Sequence, residues 1–124
     1  MSAQQDSERL RTLLSETDQR SSTRSCFLLH IRPERLAEYV DAHQHVWPDM
    51  REALSRAGWR NYSLFLEAQT GTVVGYFESD DVDAARTAMS ALETNTRWQR
   101  AMAEYFLPPD GGRDQILPQY FYLP

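Results

Sequence analysis

At 124 residues, with 41% hydrophobic and 25% charged side chains, the chain has the size and balance of one ordinary globular domain. Eighteen acids against thirteen bases leave a net charge of −5, which argues against a general nucleic-acid binder. A single cysteine, Cys26, excludes an internal disulfide and a cysteine-built zinc site, and no apolar run reaches membrane-span length at a mean hydropathy of −0.62. All thirteen basic residues are arginine, so Schiff-base chemistry, pyridoxal phosphate anchoring and the phosphate-loop lysine are excluded as well.

Residues 1–23 are rich in Ser, Thr, Gln and interspersed charge. They read as a flexible N-terminal tail with a short helix around Leu10, Leu13 and Leu14, ahead of a domain over residues 24–124. No apolar signal-peptide core is present, which points to a cytoplasmic protein. Cys26–Ile31 is a short apolar run closed by Arg32-Pro33, a first strand. Pro33 suits a helix start and Glu34 its first turn, so a helix runs from there toward His45. Trp47-Pro48 interrupts it, and a second piece, Pro48 to Ala57, is stopped by Gly58.

Arg60–Glu67 and Thr72–Ser79, joined by a glycine-containing loop, predict a hairpin. Ser79, Asp80 and Asp81 offer caps for a helix with the apolar stripe Val82, Ala85, Met89, Leu92. Thr94-Asn95-Thr96 breaks it, and Trp98, Met102 and Tyr105 line the next piece. Pro108–Gly112 is a loop, and Gln119–Leu123 is the fourth strand.

The order β-α-β-β-α-β is that of the α+β ferredoxin-like split βαβ fold. Phe27, Leu29 and Ile31 face one side of strand one, and Cys26, Leu28 and His30 the other; both sides of the later strands also carry large apolar groups. Helices in this topology cover one sheet face only, so the second face is expected to pack on another copy, as a homodimer.

His30, His43 and His45 are the side chains suited to proton transfer near neutral pH. His43 and His45 have an HxH spacing, but residues two apart on a helix diverge by about 200°, which argues against a shared metal. Tyr39, His43 and Trp47 share one helix face at intervals of four, a pattern more often packing than a site. With Tyr62 and Trp98 they sketch an apolar pocket with hydroxyl, indole and imidazole groups turned inward. Such a lining suits a neutral polyhydroxyl ligand, whose C–H faces stack on rings while its hydroxyls bond to polar tips.

The stretch Arg32-Pro33-Glu34 through Tyr39, His43 and Trp47-Pro48 resembles the L-rhamnose mutarotase family. So do Gly58-Trp-Arg-Asn61-Tyr62, Thr96-Arg97-Trp98 and the terminal Phe121-Tyr122-Leu123-Pro124, which together span Cys26 to Pro124. The resemblance implies a dimeric α/β barrel and a cofactor-free isomerase that interconverts the α and β anomers of L-rhamnose. It implies His43 as proton donor, with Tyr39, Tyr62 and a Trp-Trp pair holding the sugar. Here that pair reads Trp98-Gln99, which leaves L-fucose or another deoxyhexose open.

Ring opening asks only for an acid at the ring oxygen and a base at the anomeric hydroxyl. For the base, Tyr39, water, His30 and a carboxylate such as Glu78 all stay open. The same architecture serves cofactor-independent monooxygenases and haem-binding enzymes, and a sugar-binding module without turnover is the non-enzymatic alternative.

Overall fold

The computed structural model describes residues 2–107 and 114–124. In chain order these form α1 (Ala3–Glu16), β1 (Arg24–His30), a 3₁₀ turn at Pro33–Arg35, α2 (Leu36–Gln44), α3 (Pro48–Arg56) and β2 (Arg60–Glu67). There follow β3 (Thr72–Glu78), α4 (Val82–Ser90), α5 (Glu93–Met102), a 3₁₀ turn at Ala103–Tyr105 and β4 (Gln115–Leu117). The strands form one four-stranded antiparallel sheet in the order β2-β3-β1-β4. This is the ferredoxin-like arrangement expected from the element order.

Burial alternates strictly along β1 and β3. Phe27, Leu29, Ile31, Val73 and Phe77 face the helices and join Tyr39, Met50, Ala85, Met89, Trp98 and Met102 in the core. Across the β1–β3 register Phe27 lies opposite Gly75. A Cβ at position 75 would run into the Phe27 ring, so the bare glycine lets that ring lie flat over β3. The β2–β3 register is interrupted between Arg60 and Ser63, where Asn61 takes a left-handed φ of 47°. Asparagine tolerates that region, and such a bulge re-aims the side chain beside it, here Tyr62.

The α2–α3 break falls where Trp47-Pro48 places it: Trp47 is extended at ψ 136° and Pro48 opens α3. At the end of α3, Gly58 at φ 95° and a bond from Trp59 N–H to the Leu54 carbonyl (3.0 Å) turn the chain into β2. Asp81 caps α4 by accepting from the N–H groups of Asp83 and Ala84, both at 3.1 Å.

Several expectations need correction. The fourth strand is Gln115–Leu117 and not Gln119–Leu123; Pro118, with no N–H to give, ends the pairing. Tyr120, Phe121 and Leu123 lie in an exposed, unpaired tail. The break between the two last helices comes at Ala91–Leu92, so Thr94–Thr96 is helical and Leu92 is the N-cap of α5, outside the α4 stripe. The N-terminal segment holds a 14-residue helix closed by a Ser2–Gln5 capping box, with no buried residue. Cys26 is half-buried, on the sheet face away from the helices. The expected loop Pro108–Gly112 lies outside the described residues.

Candidate active site

Between the sheet and helices α2, α3, α4 and α5 lies a cavity of about 600 Å³, which Tyr39, His43, Tyr62, Trp98 and Gln99 all line. The structure thus brings together every residue singled out as catalytic or sugar-binding. The size falls within the ~300–1,000 Å³ usual for small-molecule pockets.

His43 sits in the last turn of α2, half-buried, with Nδ1 2.9 Å from the Tyr39 carbonyl. A carbonyl only accepts, so Nδ1 carries the proton and donates it. In the neutral ring Nε2 is then the unprotonated nitrogen, able to accept a hydrogen bond. The imidazole is boxed by rings: Tyr39 meets it edge-on at 4.4 Å and Trp98 at 5.3 Å. Burial in this aromatic setting pulls the His43 pKa below its ordinary 6.5.

Trp47 is not part of that stripe as a helical residue, because it caps α3 from outside α2. It stands edge-on to Trp98 at 5.0 Å and so buttresses the wall. Tyr39 and Trp98 are only 4% and 6% exposed, which fixes their rings as rigid surfaces. Tyr62 keeps 37% of its surface accessible, yet burial raises its hydroxyl well above the ordinary tyrosine range. Both hold because the accessible surface lies inside the concavity. The Tyr39 hydroxyl is raised for the same reason, so both phenols stay protonated and can donate.

Gln99 lies on α5 and donates to Asn95 Oδ1 at 3.3 Å, which places two amides one turn apart on the wall. His45 is exposed and its Nδ1 reaches only the Asp41 carbonyl at 3.3 Å, so the two α2 histidines do not converge. Among the described residues no group of three His, Cys, Asp or Glu side chains could hold a metal. His30 belongs to the open sheet face, and Glu78 accepts from the Tyr76 hydroxyl; neither lines the cavity. Arg35 pairs with Glu38 and Glu104, away from the pocket.

The lining residues that escaped the sequence reading include Trp59, Arg86, Asn95 and Asp114, and also Arg51 and Ser90. Trp59 stacks on Phe77 at 3.7 Å and donates its indole N–H to the Ala85 carbonyl at 3.1 Å, tying β2 to α4. Arg86 was legible in principle, since it lies four residues after Val82 and three before Met89 on the apolar face of α4. Asn95 was hidden by its reading as a helix break. Asp114 has no periodic context at all.

Known proteins can be set against this geometry. The family model described as L-rhamnose mutarotase matches residues 24–123. An L-rhamnose mutarotase of Ligilactobacillus salivarius is 34% identical over 101 residues, covering 77% of this chain and 93% of that protein. One from Bacillus subtilis is 34% identical over 80 residues, covering 64% and 76%. Among solved structures, the L-rhamnose mutarotase of Formosa agariphila superposes with a TM-score of 0.71 at 22% identity, over 83% of this chain and all (100%) of that one. An antibiotic biosynthesis monooxygenase superposes with a TM-score of 0.55 at 18% identity, over 82% of this chain and 98% of that one, a likeness of fold alone. On the span and identity of these matches, the chain belongs to the L-rhamnose mutarotase family.

Proposed function

We propose that this chain interconverts the α and β anomers of L-rhamnose by cofactor-free acid–base catalysis, with His43 as the proton donor. Tyr39, Tyr62, Trp98 and Gln99 hold the sugar. The observation that carries the mechanism is the Nδ1 bond from His43 to the Tyr39 carbonyl, which orients the ring and leaves Nε2 for the sugar.

The proton accounting closes. Nε2 of the His43 imidazolium delivers its proton to the ring oxygen as the C1–O5 bond breaks, while the anomeric O1–H proton leaves to a base and C1 becomes a carbonyl. Rotation about C1–C2 presents the other carbonyl face. On closure the C5 hydroxyl returns its proton to His43 and O1 regains one from the base, so nothing is consumed. Of the bases considered, Tyr39 is kept protonated by burial, and His30 and Glu78 are outside the cavity. Water held by the two phenols takes this role.

The rings pack on the sugar's C–H faces and its C6 methyl. Gln99 offers hydrogen bonds where a second indole would offer a surface, so the preference among deoxyhexoses turns on that position. Exchange NMR on anomerising L-rhamnose, with L-fucose alongside, tests the reading. His43→Asn is expected to lose ~10²–10⁴-fold of the acceleration, the usual worth of a placed acid. A variant as fast as the parent would remove His43 from the role.

We further infer that the open sheet face closes on a second copy. Leu28, Val74 and Phe65 form a row across β1, β3 and β2 on the side away from the helices, and Phe65 is 63% exposed. The chemistry acts on a free monosaccharide, and a free Cys26 suits a reducing compartment, so the cytoplasm is the proposed location.

A further inference from the structure

Arg86 projects from the core face of α4 into the sugar cavity. Its guanidinium lies over the rings of Phe77, 5.0 Å to the centroid, and Phe27, 5.7 Å, which holds it in one place. Nε and Nη2 are buried without a hydrogen-bond partner among the described residues. Asp114 lines the same cavity from the segment just before β4. Among the described residues no ion pair within 4 Å joins the two, although both line the cavity. A guanidinium and a carboxylate that line one cavity without pairing leave a donor and an acceptor available to a ligand there.

A hydroxyl fits that pair because it both accepts and donates. The charge of Asp114 is felt at the hydroxyls of Tyr39 and Tyr62 and at Arg86, whereas His43 responds only to burial and its carbonyl bond. Arg86 lies on the Tyr62 side of the cavity, since Phe27 and Phe77 beneath its guanidinium both pack on Tyr62, at 6.3 and 6.2 Å, whereas the imidazole stands among Tyr39 and Trp98. With His43 at the ring oxygen, the pyranose edge opposite it is C3–C4.

We propose that Arg86 and Asp114 form a distal subsite that binds the vicinal 3- and 4-hydroxyls of the sugar. The guanidinium donates to one oxygen and the carboxylate accepts from the neighbouring hydroxyl. They are specificity-determining residues and take no part in the proton transfers at C1. The inference rests on the proposed reading, that the sugar is the ligand of this cavity with its ring oxygen at His43.

The test uses 1,5-anhydro-L-rhamnitol, which keeps the ring and the 2-, 3- and 4-hydroxyls but has no anomeric centre to react. Its Kd is measured by NMR titration on the full chain and on Asp114→Asn and Arg86→Met, alongside the 4-deoxy counterpart. Loss of a hydrogen bond to a charged group is expected to weaken the parent ligand about tenfold to a hundredfold in each variant. The 4-deoxy ligand should bind the unmodified chain that much more weakly and lose little more in the variants.

Variants that bind the parent ligand as tightly as the unmodified chain overturn the subsite. So does Asp114→Asn binding normally while anomer exchange collapses, which would put the carboxylate in the chemistry. Equal affinity of the unmodified chain for both ligands overturns it without any variant. A chain that binds neither ligand takes the sugar reading down with it, whereas tight binding of the parent ligand that neither variant weakens removes the subsite alone.

Discussion

His43 illustrates how a single side chain is tuned by what surrounds it. Its pKa is depressed because burial penalises the imidazolium, so the donor form is a strong acid present as a minority at neutral pH. As the donor, it should make kcat/KM fall about tenfold per pH unit once the pH exceeds a pKa below 6.5. NMR exchange rates corrected for spontaneous mutarotation check this, and a flat profile through that region counts against the imidazolium. The sign for stability is opposite in sense: the folded state prefers neutral His43, so its contribution declines as pH drops below the unfolded value of 6.5. Asn61 is a second residue whose identity is set by physics, through its left-handed φ of 47°. Asn61→Val should cost at least about 1–2 kcal/mol in urea unfolding, while Asn61→Gly stays nearly neutral. Raised KM in the valine variant would reflect a displaced Tyr62.

At the scale of elements, what was legible followed local chemistry. Pro48 and Gly58 punctuate α3, Asp81 caps α4, and strict alternation marks β1 and β3, all of which read directly from side-chain type and spacing. The last strand was misread because Gln119–Leu123 alternates like a strand, while the true one has three residues and owes its existence to pairing with Cys26–Leu28. Nothing in three residues announces a partner that far away in the chain. Tyr122 instead lies under the Arg24 guanidinium at 3.8 Å, and its N–H reaches the Gln19 side chain, so the tail folds back on the start of the domain. Among candidate site residues, Tyr39, His43 and Trp98 were legible on their helices, Arg86 and Asn95 were missed on theirs, and Asp114 has no periodic context. The Phe27–Gly75 crossing belongs to this scale too: Gly75→Ala should destabilise by about 1–3 kcal/mol through overpacking, measured by thermal or urea unfolding. The Phe27 ring also lines the cavity, so ligand affinity should fall with it.

For the whole molecule, the uncovered sheet face sets the expectation about assembly. Sedimentation of the unmodified chain at micromolar concentration should give a dimer, and Phe65→Asp, charging the centre of the Leu28–Val74–Phe65 row, should shift it to monomer. A monomeric parent would show that this face is left to water. The cavity walls have a consequence of their own. Tyr39 and His43 come from the first β-α-β half of the chain, and Arg86, Trp98 and Gln99 from the second, with the rings of Trp98 and His43 meeting across the seam. A monosaccharide bound as proposed would therefore be mortar between two halves of a duplicated topology. Sugar at a hundred times its Kd should add about 2.7 kcal/mol to the unfolding free energy. Slowed amide exchange should reach α2 and α5 alike, so that occupancy by a small molecule is written into the cohesion of the entire domain.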